Sequence, residues 1–146
     1  MEFRAFSEYA VAVGRPEAVD TARPEAQNSD YESGVAEVDG ETWHLRTART
    51  TPTKPGAFLA FWRRDETGGT APFAADAVSA GLIVFVEQAG RRGAFRFTAE
   101  HLAALGITAG PRAGKRGFRV YPSWCDGLNA SATATQRAQA SAFREY

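Results

Sequence analysis

Cysteine is nearly absent. Cys125 stands alone among 146 residues, so no internal disulfide framework can form and no thiolate cluster can hold zinc. It reads as a partly buried thiol without chemistry. Histidine is almost as scarce: His44 falls in a predicted strand and His101 in a predicted short helix, so no histidine-based catalytic set emerges and both read as structural. There is no His-Glu-x-x-His, no Cys pair and no Gly-x-Ser-x-Gly. The opening stretch "MEFRAFSEYAVAVG" carries acids and no long apolar run. It fits neither a signal peptide nor a membrane anchor, and the expectation is a soluble, cytoplasmic protein. Lysine is rare too, with only Lys54 and Lys115 among 17 cations. The rest are arginines, which suit bidentate phosphate recognition and stacking on aromatic rings, although a GC-rich genome would give the same bias.

The formal net charge of zero conceals a division. Residues 1–41 hold ten acids against Arg4, Arg15 and Arg23, whereas residues 42–146 hold 14 cations against seven acids. A basic face therefore belongs to the second part. At this length one domain is expected, and such a domain buries roughly 68–70% of its unfolded surface. The single domain, 1–146, divides into an N-terminal helix and connection (1–29) and a sheet core with a C-terminal helix (30–146).

Phe3, Phe6, Tyr9, Ala10 and Val13 recur at helical spacing and predict a helix over 2–13, ended by Gly14. Residues 15–29 read as a surface connection, with one helical turn opened by Pro16. From Tyr31 the pattern becomes β. "VAEV" and "TWHLRTA" flank Asp39-Gly40, a strong hairpin signal. Alternation puts Trp43, Leu45 and Thr47 on one face and His44, Arg46 and Ala48 on the other. "TTPTKPG" turns the chain into a third strand, "AFLAFWRR", where Phe58, Ala60 and Trp62 oppose Leu59, Phe61 and Arg63. "GLIVFVE" is an apolar run of strand length, which implies a strand covered on both faces. It is followed by the strand "AFRFT" and a short helix, "AEHLAAL", capped by Thr98 and ended by Gly106. The strand "FRVYPSW" and a closing alanine-rich helix carrying Phe143 complete an α/β or α+β arrangement of five or six strands.

Two loops carry candidate chemistry. "GPRAGKRG" superficially resembles a phosphate-binding P-loop, but its first glycine position is Ala109 and Arg116 replaces the magnesium-binding hydroxyl. It still makes an anion cradle: Gly110, Gly114 and Gly117 let backbone amides approach a phosphate, and Arg112, Lys115, Arg116 and Arg119 surround them. A merely solvated loop is the alternative. In "TTPTK", Thr50, Thr51 and Thr53 offer hydroxyls, Pro52 and Pro55 stiffen the turn, and Lys54 projects a cation. Such groups suit the phosphate contacts that position a protein on nucleic acid. Trp62, Tyr121 and Trp124 adjoin basic residues and are candidates either for stacking on bases or for the core.

The ordered set "LRTARTTPTKPGAFLAFWRR", "APFAAD", "GLIVFVEQAGRRGAFRF", "LGITAG", "GKRGFRVYPSW" and "TQRAQ" resembles the MepB-like family from about Asn28 to the C-terminus. The resemblance implies a fold like the restriction-endonuclease, or PD-(D/E)XK, group: a mixed central sheet of five to six strands flanked by helices. It also implies nucleic-acid binding, to DNA or RNA. A nuclease of that group needs an acid on one strand and an acid or amide with a lysine on the next, to hold Mg²⁺ and polarise water. Asp30 and Glu32 lead into the first arm here, but Thr47 and Arg49 stand where the second motif belongs. Threonine is a poor Mg²⁺ ligand and arginine cannot act as a base. Glu37 and Glu41 flank the hairpin turn out of register, and the family's acid before the apolar strand is Gly81, with Asp76 the nearest carboxylate.

The leading expectation is a nuclease-like scaffold kept for binding, with no metal or other cofactor. Its phosphate-binding set is Arg46, Arg49, Thr51, Thr53, Lys54, Arg63, Arg64, Lys115, Arg116 and Arg119, with Tyr121 and Trp124 for stacking. One alternative is an active Mg²⁺ nuclease with a migrated site drawn from Glu8, Asp30, Glu32 and Asp76, of which Asp30 and Glu32 would be catalytic. The other is a regulator that binds a small ligand or a protein, marked by an apolar pocket of several hundred Å³.

Overall fold

The computed structural model describes residues 3–146. It is a mixed α+β structure whose main layer is a six-stranded sheet. Helix α1 (Arg4–Ala12) comes first, and a 3₁₀ turn over Pro16–Thr21 with Pro16 at its start follows. The predicted start of the helix at Glu2 lies outside the described residues. The strands are β1 (Arg23–Pro24), β2 (Gly34–Val38), β3 (Glu41–Thr47), β4 (Arg49–Thr51), β5 (Lys54–Ala60), β6 (Arg63–Arg64), β7 (Thr70–Ala71), β8 (Gly81–Gln88), β9 (Arg91–Thr98), β10 (Gly117–Val120) and β11 (Phe143–Glu145). Helices α2 (Ala99–Ala104) and α3 (Ala130–Gln139) flank β10 in sequence.

The main sheet runs β1-β2-β3-β8-β9-β11, with β3 and β8 parallel and the other pairs antiparallel. Asp39 and Gly40, both at positive φ, close the β2–β3 hairpin as the sequence requires. Strand β8 is buried on both faces, and its side chains divide by parity. Ile83 and Phe85 join Trp43, Leu45, Phe6 and Tyr9 in a core beneath α1. Leu82, Val84 and Val86 join Phe95, Phe97 and Leu102 in a second core on the opposite face.

A three-stranded sheet, β10-β5-β4, covers that second face. The chain changes sheets at Ala48, whose amide still bonds to the Phe85 carbonyl, before β4 pairs with β5. Ala57, Leu59, Phe61, Phe118 and Val120 point inward into the second core, so by alternation the intervening residues face solvent. The predicted strand "AFLAFWRR" is interrupted after Ala60, and Arg63–Arg64 form a separate ladder with β7. Phe143 lies beyond α3 rather than on it. It starts β11 and packs on Phe95 at a centroid distance of 4.8 Å. Among the described residues, no helix is long and apolar enough to cross a membrane.

Covering the inner face has one electrostatic consequence. His44 and Arg46 lie on the covered side of β3, and Arg46 is 0% exposed. Its guanidinium bonds to Glu25 Oε1 at 2.7 Å, Asn28 Oδ1 at 2.9 Å and the carbonyls of Leu45 and Ala60 at 2.8 and 3.2 Å, and it stacks over the Phe61 ring. His44 Nδ1 meets the same Glu25 oxygen at 3.0 Å. The phosphate-binding role expected of Arg46 is therefore corrected: a buried guanidinium with this many partners cannot reach a polyanion. It ties residues 25–28 to the sheet instead.

Burial by itself would raise the Glu25 carboxyl, but the hydrogen bonds from His44 and Arg46 outweigh it and hold the group below its ordinary value. Burial also draws Arg46 down from its usual value. A depressed carboxyl stabilises the fold above its unfolded pKa of about 4.3, and that stabilisation is lost as pH falls through the folded value. Urea midpoints measured between pH 6 and pH 3 should therefore fall on the acid side of about 4.3. Glu25→Gln should flatten that limb. An unchanged limb in the variant would remove Glu25 as its source.

Candidate functional site

The solvent face of the small sheet brings together most of the expected cations. Arg49 on β4, Phe58 on β5 and Arg119 on β10 are direct cross-strand partners, so they share one face in a row. Phe58 is 36% exposed, which is unusual for so large an apolar group in this chain. Its ring occupies the space that a Cβ at Gly117 would need, 2.7 Å from the ring edge, and Tyr121 lies over Gly56 in the same way. Two glycines thus let two aromatic rings lie down on the sheet. Tyr31 meets Phe58 edge-on at 6.3 Å.

Arg119 is fixed in place. It donates to Thr51 Oγ1 at 2.7 Å and to the Pro55 carbonyl at 3.1 Å, which ties β10 to the Thr-Pro-Thr-Lys turn. Thr51, Thr53 and Lys54 are exposed at that end. At the other end Arg116 bonds to Thr70 Oγ1 at 3.0 Å, and Arg64 stacks on Trp62 at 4.8 Å beside the exposed Arg63. Strand β5 between the two ends spans roughly 20 Å, at about 3.4 Å per residue.

Among the described residues, most cations away from this face are paired with acids, Arg96, Arg137 and Arg144 being the exceptions. Arg4, Arg15, Arg23, Arg46, Arg91 and Arg92 each have a carboxylate partner. Among the described residues, Arg49, Lys54, Arg63, Arg64, Lys115, Arg116 and Arg119 form no salt bridge. Asp65, the acid nearest this group in sequence, accepts from Thr67 and Gly69 within its own turn, and those bonds hold its carboxyl below the ordinary value.

Beside β10 the surface deepens. Gln139 is buried and bonded at both ends of its amide: it accepts from Tyr121 N at 3.0 Å and donates to the Arg119 carbonyl at 2.8 Å, so α3 is held along the edge of β10. A cleft of about 480 Å³ lies between them, lined by Lys115, Arg112, Arg119 and Tyr121 over Leu105, Ile107 and Phe118. A second opening of about 350 Å³ shares Arg119 and Tyr121 with it and reaches Lys54 and Asn129. The two openings together contain four cations and no carboxylate.

Trp124 does not join this surface. It packs against Phe143, carries Arg91 over its ring at 5.0 Å and donates from Nε1 to Gln88. Its expected stacking role is corrected on that ground, because both ring face and N–H are already engaged. Sequence reasoning missed Phe58 and left Arg112 out of the binding set. Alternation groups Phe58 with Ala60 and Trp62, but only the packing shows that this face is the uncovered one.

The carboxylates lie elsewhere. Glu8, Glu32 and Glu87 border a small opening of about 130 Å³ beside Thr47, Arg4 and Arg92. Asp30 and Asp76 are exposed and do not line it. Glu32 accepts from Thr47 Oγ1 at 2.7 Å, and Glu8 is taken by Arg92 at 2.5 Å and Arg4 at 3.3 Å. The Arg92 hydrogen bond above all lowers the Glu8 carboxyl from its ordinary value. Among the described residues, no three His, Cys, Asp or Glu side chains are grouped so as to hold a metal ion.

A family model described as MepB-like matches residues 25–145. A solved structure, the crystal structure of MepB, is 33% identical and superposes with a TM-score of 0.85, covering 95% of each chain. No curated protein matches the sequence. The matched segment contains every residue of the basic face and of the cleft beside it, and on this evidence the chain belongs to the MepB-like family.

Proposed function

We propose that this protein binds nucleic acid on the solvent face of β10-β5-β4 and cuts none. The observation that carries the reading is the row Arg49–Phe58–Arg119, two cations unpaired with acids on either side of an exposed aromatic ring. Cations at both edges suit phosphates, and a ring lying flat on a sheet offers a base a stacking surface. The face continues at one end into Lys54 and at the other into Arg116, so an extended polyanion has contacts along its length. Fluorescence anisotropy with labelled 20-mers of DNA and RNA, single-stranded and duplex, tests this at low salt. Absence of binding to all four would retire the proposal.

The fold is read as a restriction-endonuclease-like core that has lost its metal chemistry. Support for the core comes from β3, which pairs antiparallel with β2 and parallel with the apolar β8. The residues do not fit Mg²⁺. Thr47 uses its hydroxyl on Glu32, Arg49 points a permanent cation from the next strand, and Glu8 is neutralised by two arginines. An acid could not be restored at Gly81, where φ is +143° and a Cβ would sit 2.0 Å from the Phe97 carbonyl oxygen. Supercoiled plasmid incubated with Mg²⁺ or Mn²⁺ should therefore stay intact. Cleavage that disappears in Asp30→Asn and Glu32→Gln would establish the migrated-site nuclease instead.

A further inference from the structure

We infer that the cleft between β10 and α3 receives one unstacked nucleotide of a single strand, with its base over Leu105, Ile107 and Phe118 and its phosphate on Arg112 and Lys115. The inference rests on the nucleic-acid reading and specifies it. At about 480 Å³ the cleft falls within the range of small-molecule sites, roughly 300–1,000 Å³. That is far more room than a lone phosphate needs. Its lining has two chemistries: apolar side chains from the α2 end and β10, and cations from the loop 110–116 and β10, with no carboxylate. A phosphate alone would leave the apolar floor unused, and an apolar ligand would leave the cations unpaired. A nucleotide satisfies both.

The cleft opens beside the proposed strand path, because Arg119 and Tyr121 line both it and the opening toward Lys54. A strand lying on the sheet can therefore place one residue in it without a sharp detour. The wall is preformed, since Gln139 bonds α3 to the backbone on both sides of Val120. A duplex keeps its bases stacked, and extruding one costs a few kcal/mol. Single strands should accordingly be preferred.

The test uses the full chain and four probes: a labelled 12-nucleotide single strand, a blunt duplex of the same sequence, and adenosine monophosphate and inorganic phosphate as competitors. Ala134→Trp fills the cleft from an exposed position on α3, and Arg112→Ala with Lys115→Ala removes the cations without adding bulk, should the tryptophan impair folding. The expected result is a loss of tenfold or more in single-strand affinity in either variant, with duplex affinity changed less, and competition by the mononucleotide only in the unaltered protein. Single-strand affinity unchanged in both folded variants would overturn the cleft while leaving the sheet face standing. Inorganic phosphate competing as well as the mononucleotide would also overturn it, because the base would then contribute nothing. If no oligonucleotide binds the unaltered protein, the broader nucleic-acid reading falls first.

Discussion

Replacing Arg46 by alanine is expected to destabilise the protein by about 3–5 kcal/mol, because the change strands a buried carboxylate. Glu25 would keep its buried position and lose its guanidinium partner, and Asn28 and the Ala60 carbonyl would lose donors as well. For a chain of this size the loss corresponds to a fall in Tm of roughly 10 °C or more. Arg46→Lys should recover little, since an ammonium cannot reproduce four bonds in a planar fork or stack on Phe61. A paired replacement, Glu25→Leu with Arg46→Met, should recover more than either single change, because it removes both charges together. Urea and thermal unfolding of the parent, these variants and the two single changes decide the matter. The outcome that counts against it is Arg46→Ala within about 1 kcal/mol of the parent but with weakened nucleic-acid binding, which would return Arg46 to the ligand set.

Arg46 also shows where sequence reasoning stops. It sits in the run "LRTARTTPTK" and resembles its neighbours in every local respect. Alternation correctly separates Trp43 and Leu45 from His44 and Arg46, because period two is a property of the strand itself. Which of those faces a second sheet then covers depends on Phe61 and Phe73, which stack on each other at 4.4 Å and lie against His44. That contact is made between residues distant in sequence. The features that were legible are the local ones: the Asp39-Gly40 turn, the doubly buried run of β8, and Thr98 accepting from His101 N at the start of α2.

The candidate site was legible in kind but not in layout. Unpaired cations in "TTPTK" and "GKRGFR" do converge, yet Phe58, at the centre of the row, carries no local signal. Its pairing with Arg49 depends on an irregularity between Thr50 and Thr51. A regular hairpin closed by Thr51 and Lys54 would have set Arg49 opposite Gly56. The bulge moves the partner to Phe58 and places a ring between two cations. Pairing of β10 on the other side of β5 brings Arg119 in from 61 residues further along the chain. Conversely, Trp124 looked like a stacking residue because it follows a basic strand, but Gln88 and Arg91 from the β8–β9 hairpin claim it.

If the sheet face binds as proposed, its cations and its ring should fail in different ways. Arg49→Ala with Arg119→Ala removes two phosphate contacts, so the slope of log affinity against log salt should become shallower by about 1.4 for single strands, at roughly 0.7 per contact. Affinity should fall steeply at low salt and converge on the parent protein's at high salt. Phe58→Ala should leave that slope in place and lower affinity at every salt concentration, by about 1–3 kcal/mol, or roughly 5- to 150-fold. The ring is one-third exposed and lies on the solvent face, so its removal leaves no sealed cavity and the fold should survive, as far-UV circular dichroism can verify. Anisotropy titrations at four salt concentrations give slope and intercept together. Stacking is uncharged and needs no counterion release, whereas phosphate pairing is little else. The distinction therefore separates a site built for a polynucleotide from a basic surface that any polyanion would satisfy, for which Phe58→Ala would change nothing.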